Sequence, residues 1–252
     1  MKNTATSLSD AKAIGRRLAC LTAYDYPTAR LLDDCGLDLL LVGDSLGMVV
    51  LGYPDTTKVT MADMLHHTRA VARGAQKTFV ASDLPAGSCT TPSLALKNAR
   101  FLRDAGAVAV KIEGGLECLP MVEAILADGI PVIGHLGMLP QRVIEEGGYH
   151  IKGKSTAESD RLLRDAHALE QAGVSAIVLE LVHPPLASAL TKELKCPTIG
   201  IGSGSDCDGQ ILVLHDVIGL FPWFRPKFAE PRADIASEIQ RAARVFVAAT
   251  KA

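Results

Sequence analysis

The stretch VKIEGG, at residues 110–115, places a lysine and a glutamate two residues apart at the end of an apolar run. Side chains alternate along a β-strand, so Lys111 and Glu113 are predicted to lie on the same face. An ammonium and a carboxylate are costly to remove from water unless they bind each other or a ligand. The stretch therefore indicates either a simple salt bridge or part of a site that binds a charged molecule.

Further polar side chains follow other apolar runs of the chain. They are Asp44, Ser45, Asp83, His135 and Glu180. In a barrel of parallel strands, the C-terminal strand ends form one face, where active sites are built. Each residue alone has a structural explanation: Asp44 or Asp83 could cap a following helix or turn, and Lys111 could pair only with Glu113. Their coincidence at five strand ends favours a functional site.

The apolar runs that carry these residues are predicted to be strands buried on both faces, as in a parallel sheet. They cover residues 18–25, 37–45, 77–85, 107–115, 130–137, 175–182 and 196–204. Helical patterns separate them, at residues 26–35, 61–75, 92–105, 118–128, 156–172 and 184–195. Repeated strand–helix units of this length predict an α/β fold, a (βα)8 TIM barrel, with an open doubly wound sheet as the alternative.

The two ends of the chain complete the predicted barrel. An extra helix near residues 7–16 is expected to close its bottom, and residues 235–251 to form the last outer helix. The segment DGQILVLHDVIG, at 208–219, fits either a strand or a helix between Asp208 and Gly219. We favour a short helix, which makes RPKFAE, at 225–230, the eighth strand. No linker or repeat divides the chain, so residues 1–252 are predicted to form one domain.

Composition excludes several classes of function. The chain has 252 residues and a net charge of −2, and the absence of a basic patch argues against a nucleic-acid partner. No apolar run reaches membrane-spanning length, and the first residues lack the apolar core of a signal peptide, so a cytoplasmic protein without a membrane partner is expected. The six cysteines are scattered without a CxxC pair, which favours free thiols over disulfides or a zinc site.

Several motifs resemble the ketopantoate hydroxymethyltransferase family. They include TAYDYPTAR, VGDSLGMVV, VKIEGG and PVIGHLGMLPQ in that order, within a resemblance that runs from about Cys20 to Phe228. The resemblance implies a barrel of the phosphoenolpyruvate/pyruvate-binding type that transfers a hydroxymethyl group from 5,10-methylenetetrahydrofolate to 3-methyl-2-oxobutanoate. The product would be ketopantoate (2-dehydropantoate), an intermediate of pantothenate and coenzyme A biosynthesis. The resemblance also implies a homo-oligomer, often a decamer.

The resemblance further implies a Mg2+ ion, with other divalent metals as alternatives. Asp44 and Asp83 would hold the metal and face the ketoacid, and Glu113 would lie near the metal, reaching it through water. Mg2+ prefers oxygen ligands and keeps several waters, so two aspartates would leave positions open for the two oxygens of a 2-oxo acid. The metal would then stabilise the enolate that forms when the ketoacid loses its C3 proton.

The resemblance assigns the remaining residues to the substrate. Ser45 and Lys111 would contact the ketoacid, with His135 beside it, and the lysine charge would suit the enolate and carboxylate oxygens. Glu180 would be the base that removes the C3 proton. It follows a run of apolar or small residues, which predicts a partly desolvated site suited to a general base.

Three alternative functions remain open from the sequence. One is a related Mg-dependent lyase or mutase of the isocitrate lyase/phosphoenolpyruvate mutase group, which would need no folate. Another is a metal-free aldolase that uses Lys111 as a Schiff-base nucleophile, which borohydride would trap. The third is a non-catalytic barrel that only binds small acids, although none of the motif acids is missing.

Overall fold

The computed structural model describes residues 5–252, and its centre is a closed barrel of eight parallel strands in chain order. The strands are β1 (Leu18–Thr22), β2 (Leu39–Val42), β3 (Phe79–Asp83), β4 (Ala109–Glu113), β5 (Val132–Gly137), β6 (Ala176–Glu180), β7 (Thr198–Ile201) and β8 (Gly209–Leu212). The predicted (βα)8 barrel is confirmed, and the alternative of an open doubly wound sheet is wrong.

Helices alternate with the strands, and each of the six predicted helical patterns contains one. They are α1 (Ala5–Ala13), α2 (Tyr26–Leu32), α3 (Leu46–Val49), α4 (Met61–Gly74), α5 (Pro92–Asp104), α6 (Leu119–Ala127), α7 (Thr156–Ala172), α8 (Pro184–Glu193), α9 (Leu214–Val217) and α10 (Ile235–Lys251). Single 3₁₀ turns at Leu116–Cys118 and Pro140–Arg142 shape the loops after β4 and β5.

Side-chain caps fix where two of these helices begin. Thr60 accepts a hydrogen bond from the backbone N–H of Asp63, and the Asp63 carboxylate accepts one from the Thr60 backbone, which is a capping box for α4. Thr91 accepts from the backbone N–H of Leu94, and Pro92 supplies the first residue of α5.

The apolar residues form two buried layers. One fills the barrel interior and includes Leu39, Phe79, Ile133 and Ile199. The other lies between the strands and the surrounding helices and includes Val42, Val110, Leu136 and Leu179, together with Met64 of α4. The strands are therefore buried on both faces, as their continuous apolar runs predict.

Helix α1 covers the N-terminal end of the barrel. Leu8 and Ala11 belong to the same buried cluster as the barrel interior. The Lys12 ammonium donates to the backbone oxygens of Thr191 and Cys196, which precede β7. The predicted closing helix is confirmed, although it ends at Ala13 and Gly15 then turns the chain with a φ of 68°.

The eighth strand is not where the sequence analysis placed it. Residues 209–212, within the segment predicted as a helix, form β8, and only Leu214–Val217 is helical. Residues 225–230 form no strand, and the backbone N–H of Ala229 donates to the oxygen of Pro226 in a local turn. The physical reason is contact with β1. The Leu18 backbone N–H donates to the oxygen of Asp208, and a Cβ on Gly209 would come within 2.6 Å of the Leu18 Cβ.

The chain divides into two compact units, one ending at Ile211 and the other covering Leu212–Ala252. The second unit contains α9 and α10. The helix predicted at residues 235–251 is confirmed as α10, which has no buried residue. The organisation of residues 1–252 as a single domain stays a prediction. Within the described residues, no helix combines the length and the apolar character needed to cross a bilayer.

Candidate active site

The polar residues selected from the sequence converge at the C-terminal ends of neighbouring strands. The parallel register pairs Asp83 of β3 with Lys111 of β4, and Glu113 of β4 with His135 of β5. Asp44 and Ser45 follow β2, and Glu180 ends β6. The acids Asp44, Asp83 and Glu113 are buried together with Lys111 and His135.

Lys111 lies at the centre of this cluster. Its Nζ is 3.0 Å from Asp83 Oδ1, 3.2 Å from His135 Nδ1 and 3.9 Å from Glu113 Oε1. The nearest carboxylate therefore belongs to the adjacent strand and not to the residue two positions along. Burial alone lowers the pKa of Lys111, but Asp83, Glu113 and Asp44 outweigh it and raise that pKa above its ordinary value. The ammonium stays protonated.

The pKa values of the two aspartates, Asp44 and Asp83, are raised in this crowded cluster. Burial, followed by the charges of Asp83 and Glu113, raises the pKa of Asp44 well above its usual range. Burial also raises the pKa of Asp83, although Lys111 opposes the shift. The Asp44 backbone N–H donates to Asp83 Oδ2 over 3.0 Å, and the charge of Asp83 acts on the Asp44 carboxyl, so the two aspartates are close neighbours. Such a pair is unfavourable without a cation to share.

Glu113 and His135 form a second contact within the cluster. His135 Nδ1 is 3.4 Å from Glu113 Oε1, and its Nε2 is 3.3 Å from Glu180 Oε2. Burial and Lys111 lower the pKa of His135, but the nearby carboxylates of Glu113 and Glu180 raise it to about 9. Burial works against the charged form of Glu113, yet His135 and Lys111 keep its pKa below the ordinary value. His135 thus links Glu113 to Glu180.

Glu180 differs from the other acids because its side chain is 13% exposed and faces the barrel mouth. The next residue, Leu181, has a φ of 48°, a left-handed conformation that is rare for leucine. Backbone hydrogen bonds to Ile201 and from Lys152 hold Leu181 in place. Gly137 allows the end of β5 to lie close to the end of β6, because a Cβ at this position would overlap the backbone oxygen of Glu180. Local strain of this kind is typical of functional sites.

Ser45 is held by a residue that the sequence analysis did not select. The hydroxyl of Tyr24 lies 2.8 Å from Ser45 Oγ, and Tyr24 is fully buried. Gly43 leaves room for this arrangement, since a Cβ there would come within 2.9 Å of Ser45 Oγ. Tyr24 lies within TAYDYPTAR, a motif of the family resemblance, which is the only sequence signal that could have marked it.

Gln141 is the second residue that sequence reasoning missed. It lies in the 3₁₀ turn after β5, and its Nε2 donates to Asp44 Oδ2 over 2.8 Å and to the Leu84 backbone oxygen over 2.9 Å. Its backbone N–H donates to Glu113 Oε2 over 3.1 Å. Gln141 ends PVIGHLGMLPQ, a motif of the family resemblance, which is a signal that could have marked it. Its side chain is uncharged and does not stand at a strand end, so the local sequence does not connect it to Asp44.

The charge balance of the cluster suits a divalent cation. Four carboxylates face one ammonium and one imidazole, so negative charge remains in excess even when both bases are protonated. Asp83 Oδ1 and Glu113 Oε1 have no partner with hydrogen-bond geometry in the part of the chain that the structure describes. Within the described residues, no three His, Cys, Asp or Glu side chains form a ready-made metal site. Two aspartates completed by water and substrate match the way proteins hold Mg2+.

The chain is similar to proteins of one enzyme family along its whole length. The family model described as "Ketopantoate hydroxymethyltransferase" matches residues 2–252. A 3-methyl-2-oxobutanoate hydroxymethyltransferase of Syntrophus aciditrophicus is 47% identical over 252 residues, which cover 99% of this chain and 93% of the relative.

Solved structures of other enzymes share the fold. A 2,3-dimethylmalate lyase, a member of the PEP mutase/isocitrate lyase superfamily, has a TM-score of 0.64 at 16% identity, covering 100% of this chain and 88% of the other. A phosphonopyruvate hydrolase in complex with oxalate and Mg2+ has a TM-score of 0.63 at 16% identity, covering 98% of each chain. At such identities the likeness concerns the fold alone, which is the predicted type of barrel.

Proposed function

This chain belongs to the ketopantoate hydroxymethyltransferase family, and on that premise we propose how the mouth of its barrel performs the transfer. The enzyme is a hydroxymethyltransferase, and membership implies a one-carbon donor. We propose 5,10-methylenetetrahydrofolate as the donor and 3-methyl-2-oxobutanoate as the acceptor, which gives ketopantoate for pantothenate biosynthesis. The observation that carries the proposal is the cluster of buried carboxylates around Lys111.

Asp44 and Asp83 are the residues that would hold Mg2+ or another divalent cation. They are buried, the Asp44 backbone N–H donates to Asp83 Oδ2, and both have raised pKa values because burial disfavours their charged forms. A bound cation would act as a Lewis acid for the negative charge that develops on the ketoacid oxygens. The phosphonopyruvate hydrolase that shares the fold was solved in complex with oxalate and Mg2+.

Lys111 and Ser45 bind and orient the ketoacid. The raised pKa of Lys111 keeps a positive charge beside the substrate, where it attracts a carboxylate and stabilises negative charge in the transition state. The same charge argues against Lys111 as a Schiff-base nucleophile, since an amine must be neutral to attack a carbonyl. Ser45, fixed by Tyr24, supplies a hydroxyl of defined direction.

Glu180 removes the C3 proton. It is the carboxylate of the cluster with the most open side chain, and the contact from His135 Nε2 at 3.3 Å orients it. Water cleaves the two C–N bonds of the folate methylene, which gives formaldehyde and tetrahydrofolate as the leaving group. The electron pair of the broken C–H bond forms the new bond from C3 to the formaldehyde carbon. The proton taken by Glu180 passes to the formaldehyde oxygen, which becomes the new hydroxyl.

One assay tests the proposed function. Purified protein is incubated with 3-methyl-2-oxobutanoate, 5,10-methylenetetrahydrofolate and Mg2+, and ketopantoate is measured by mass spectrometry. We expect product that requires the folate and disappears after exhaustive chelation. Product formation without folate would favour the lyase and mutase group. A borohydride-stable adduct at Lys111, with activity that survives chelation, would establish the aldolase alternative.

The homo-oligomer, its decameric form and the cytoplasmic location stay predictions. Light scattering of the purified protein would give its mass in solution and test the assembly.

A further inference from the structure

Gln141 connects two of the acids that surround the proposed metal position. Its side-chain amide donates to Asp44 Oδ2 over 2.8 Å, and its backbone N–H donates to Glu113 Oε2 over 3.1 Å. Asp44 and Gln141 are 97 positions apart in the chain, and they approach only because the loop after β5 folds over the mouth of the barrel. A single residue thus fixes one oxygen on each of two carboxylates.

The position of Gln141 is itself well determined. The 3₁₀ turn Pro140–Arg142 begins with proline, which restricts the backbone, and the flanking Leu139 and Val143 are buried. The Arg142 guanidinium donates to Glu117 Oε1 over 2.9 Å, and this contact ties the other side of the turn to the loop after β4. The Gln141 amide also donates to the Leu84 oxygen at 2.9 Å, which fixes its rotamer.

We propose that Gln141 is a positioning residue for the metal site, a proposal that rests on the proposed function. Its amide donates to Asp44 Oδ2 and so fixes the orientation of the carboxylate that would hold a cation. An amide nitrogen donates hydrogen bonds but offers no lone pair to a metal, so it does not compete for the ion. It is also uncharged, and it therefore holds Asp44 without cancelling the negative charge that a cation needs, as outer-sphere partners of metal ligands do.

The alternative role for Gln141 is a loop tether, since its hydrogen bond to the Leu84 oxygen alone would hold the loop after β5 against the barrel. The two roles differ in what they do to metal binding. A loop tether affects stability and turnover at every metal concentration. A positioning residue affects the affinity for the metal, and excess metal compensates for its loss.

The test uses Gln141→Met, which keeps the length of the side chain and removes the amide. Mn2+ and Mg2+ binding to the protein without substrate is measured by calorimetry, and turnover is measured as a function of Mg2+ concentration. We expect the metal Kd to rise about 10- to 100-fold, the usual cost of losing such a partner. Turnover at saturating Mg2+ should recover most of the wild-type value.

The matched control is Gln76→Met. The Gln76 amide also donates to backbone oxygens, those of Ala72 and Arg73, but it is exposed and lies just after α4. This variant should bind metal like the wild type. If Gln141→Met does not fold, Gln141→Asn keeps the amide but is one methylene too short to reach Asp44, and the same increase in metal Kd is expected.

An unchanged metal Kd in a folded Gln141 variant would overturn the inference, whether or not turnover falls. A turnover defect that Mg2+ does not relieve would also overturn it and establish the loop tether. Failure of the wild type to bind a divalent metal is a different result, because it defeats the proposed function and the inference together. Measuring wild type and variant side by side separates these outcomes.

Discussion

Buried aspartates at the two ends of the barrel differ in their hydrogen-bond partners and in the direction of their pKa shifts. At the N-terminal end, the side chain of Asp33 is buried and accepts hydrogen bonds from three consecutive backbone N–H groups: Gln76 at 3.0 Å, Lys77 at 2.9 Å and Thr78 at 2.9 Å. Burial alone raises the pKa of Asp33, but the amides of Thr78, Lys77 and Gln76 outweigh it and lower that pKa. This carboxylate has all the partners it needs.

Asp38, at the same end, is equally well satisfied. It accepts from Arg16 Nη1 at 2.7 Å and from the backbone N–H of Ala19 at 2.9 Å. At the C-terminal end, by contrast, Asp44 faces Asp83 and Glu113, and its pKa is raised by burial and by those two charges. The same residue type stabilises the fold at one end and is held at a cost at the other.

The contrast shows how to recognise a site without a ligand present. A buried charged side chain that is fully hydrogen-bonded within the protein needs no ligand to account for it. Buried charges that crowd one another need a further partner, and the place where they crowd is where a cation and an anionic substrate would bind. Substitutions at the two ends should therefore separate activity from stability.

Asp83→Asn should give the largest effect. It removes a charge from the proposed metal position, and we expect kcat/KM to fall about 1000-fold or more, since a catalytic metal contributes several kcal/mol. The thermal midpoint should fall little, because Lys111 keeps Glu113 and Asp44 as counter-charges. Steady-state kinetics and calorimetry measure both quantities. An active Asp83→Asn enzyme after complete chelation would contradict the assignment.

Glu180→Gln should give the next largest effect. In heavy water with Mg2+ and 3-methyl-2-oxobutanoate but without folate, the wild type should exchange the C3 proton, which NMR follows. The variant keeps the shape of the side chain but loses the base, so exchange should slow at least about 100-fold. The matched control is Glu123→Gln on the exposed face of α6, which should exchange normally. If Glu180→Gln exchanges at the wild-type rate, His135 becomes the next candidate for the base.

Asp33→Asn should show the converse behaviour. The substitution replaces one acceptor oxygen with an NH2 group that faces backbone donors, so the free energy of unfolding should fall by about 2 kcal/mol. The Michaelis parameters of the folded enzyme should stay within about twofold of the wild type, the scatter expected away from a site. Urea unfolding and kinetics at saturating Mg2+ are the measurements. A selective loss of turnover without loss of stability would break the distinction between the two ends.

The smallest effect concerns pH. The folded state lowers the pKa of Asp33 below its ordinary value of 3.8, so its stabilising contribution is complete above that pH and is lost as the pH falls through the lower, folded value. The difference in unfolding free energy between wild type and Asp33→Asn should thus be constant from pH 5 to 7, an interval about one unit or more above 3.8, and shrink below it. If the difference in unfolding free energy between wild type and Asp33→Asn grew as the pH fell below about 5, the predicted direction of the pH dependence would be wrong.

Much of the fold and part of the site could be predicted from the sequence. Continuous apolar runs that end in polar residues predict buried parallel strands, and the first seven strands lie within them. The eighth strand could not be predicted, because a short apolar run such as residues 209–212 suits a helix as well as a strand. The contact with Leu18 of β1, which closes the barrel, makes this run a strand. The contact joins distant parts of the chain, so no local sequence pattern contains it.

The sequence by itself determined which residue types stand at the strand ends, because alternation and strand length are local properties of the chain. Only the tertiary structure decided which of them meet. The strand register places Lys111 closer to Asp83, on the adjacent strand, than to Glu113, two residues along its own strand. The loop after β5 brings Gln141 into contact with Asp44. Contacts across strands depend on how the barrel closes, and the free energy of closure is a sum over the whole core, so no single motif carries it.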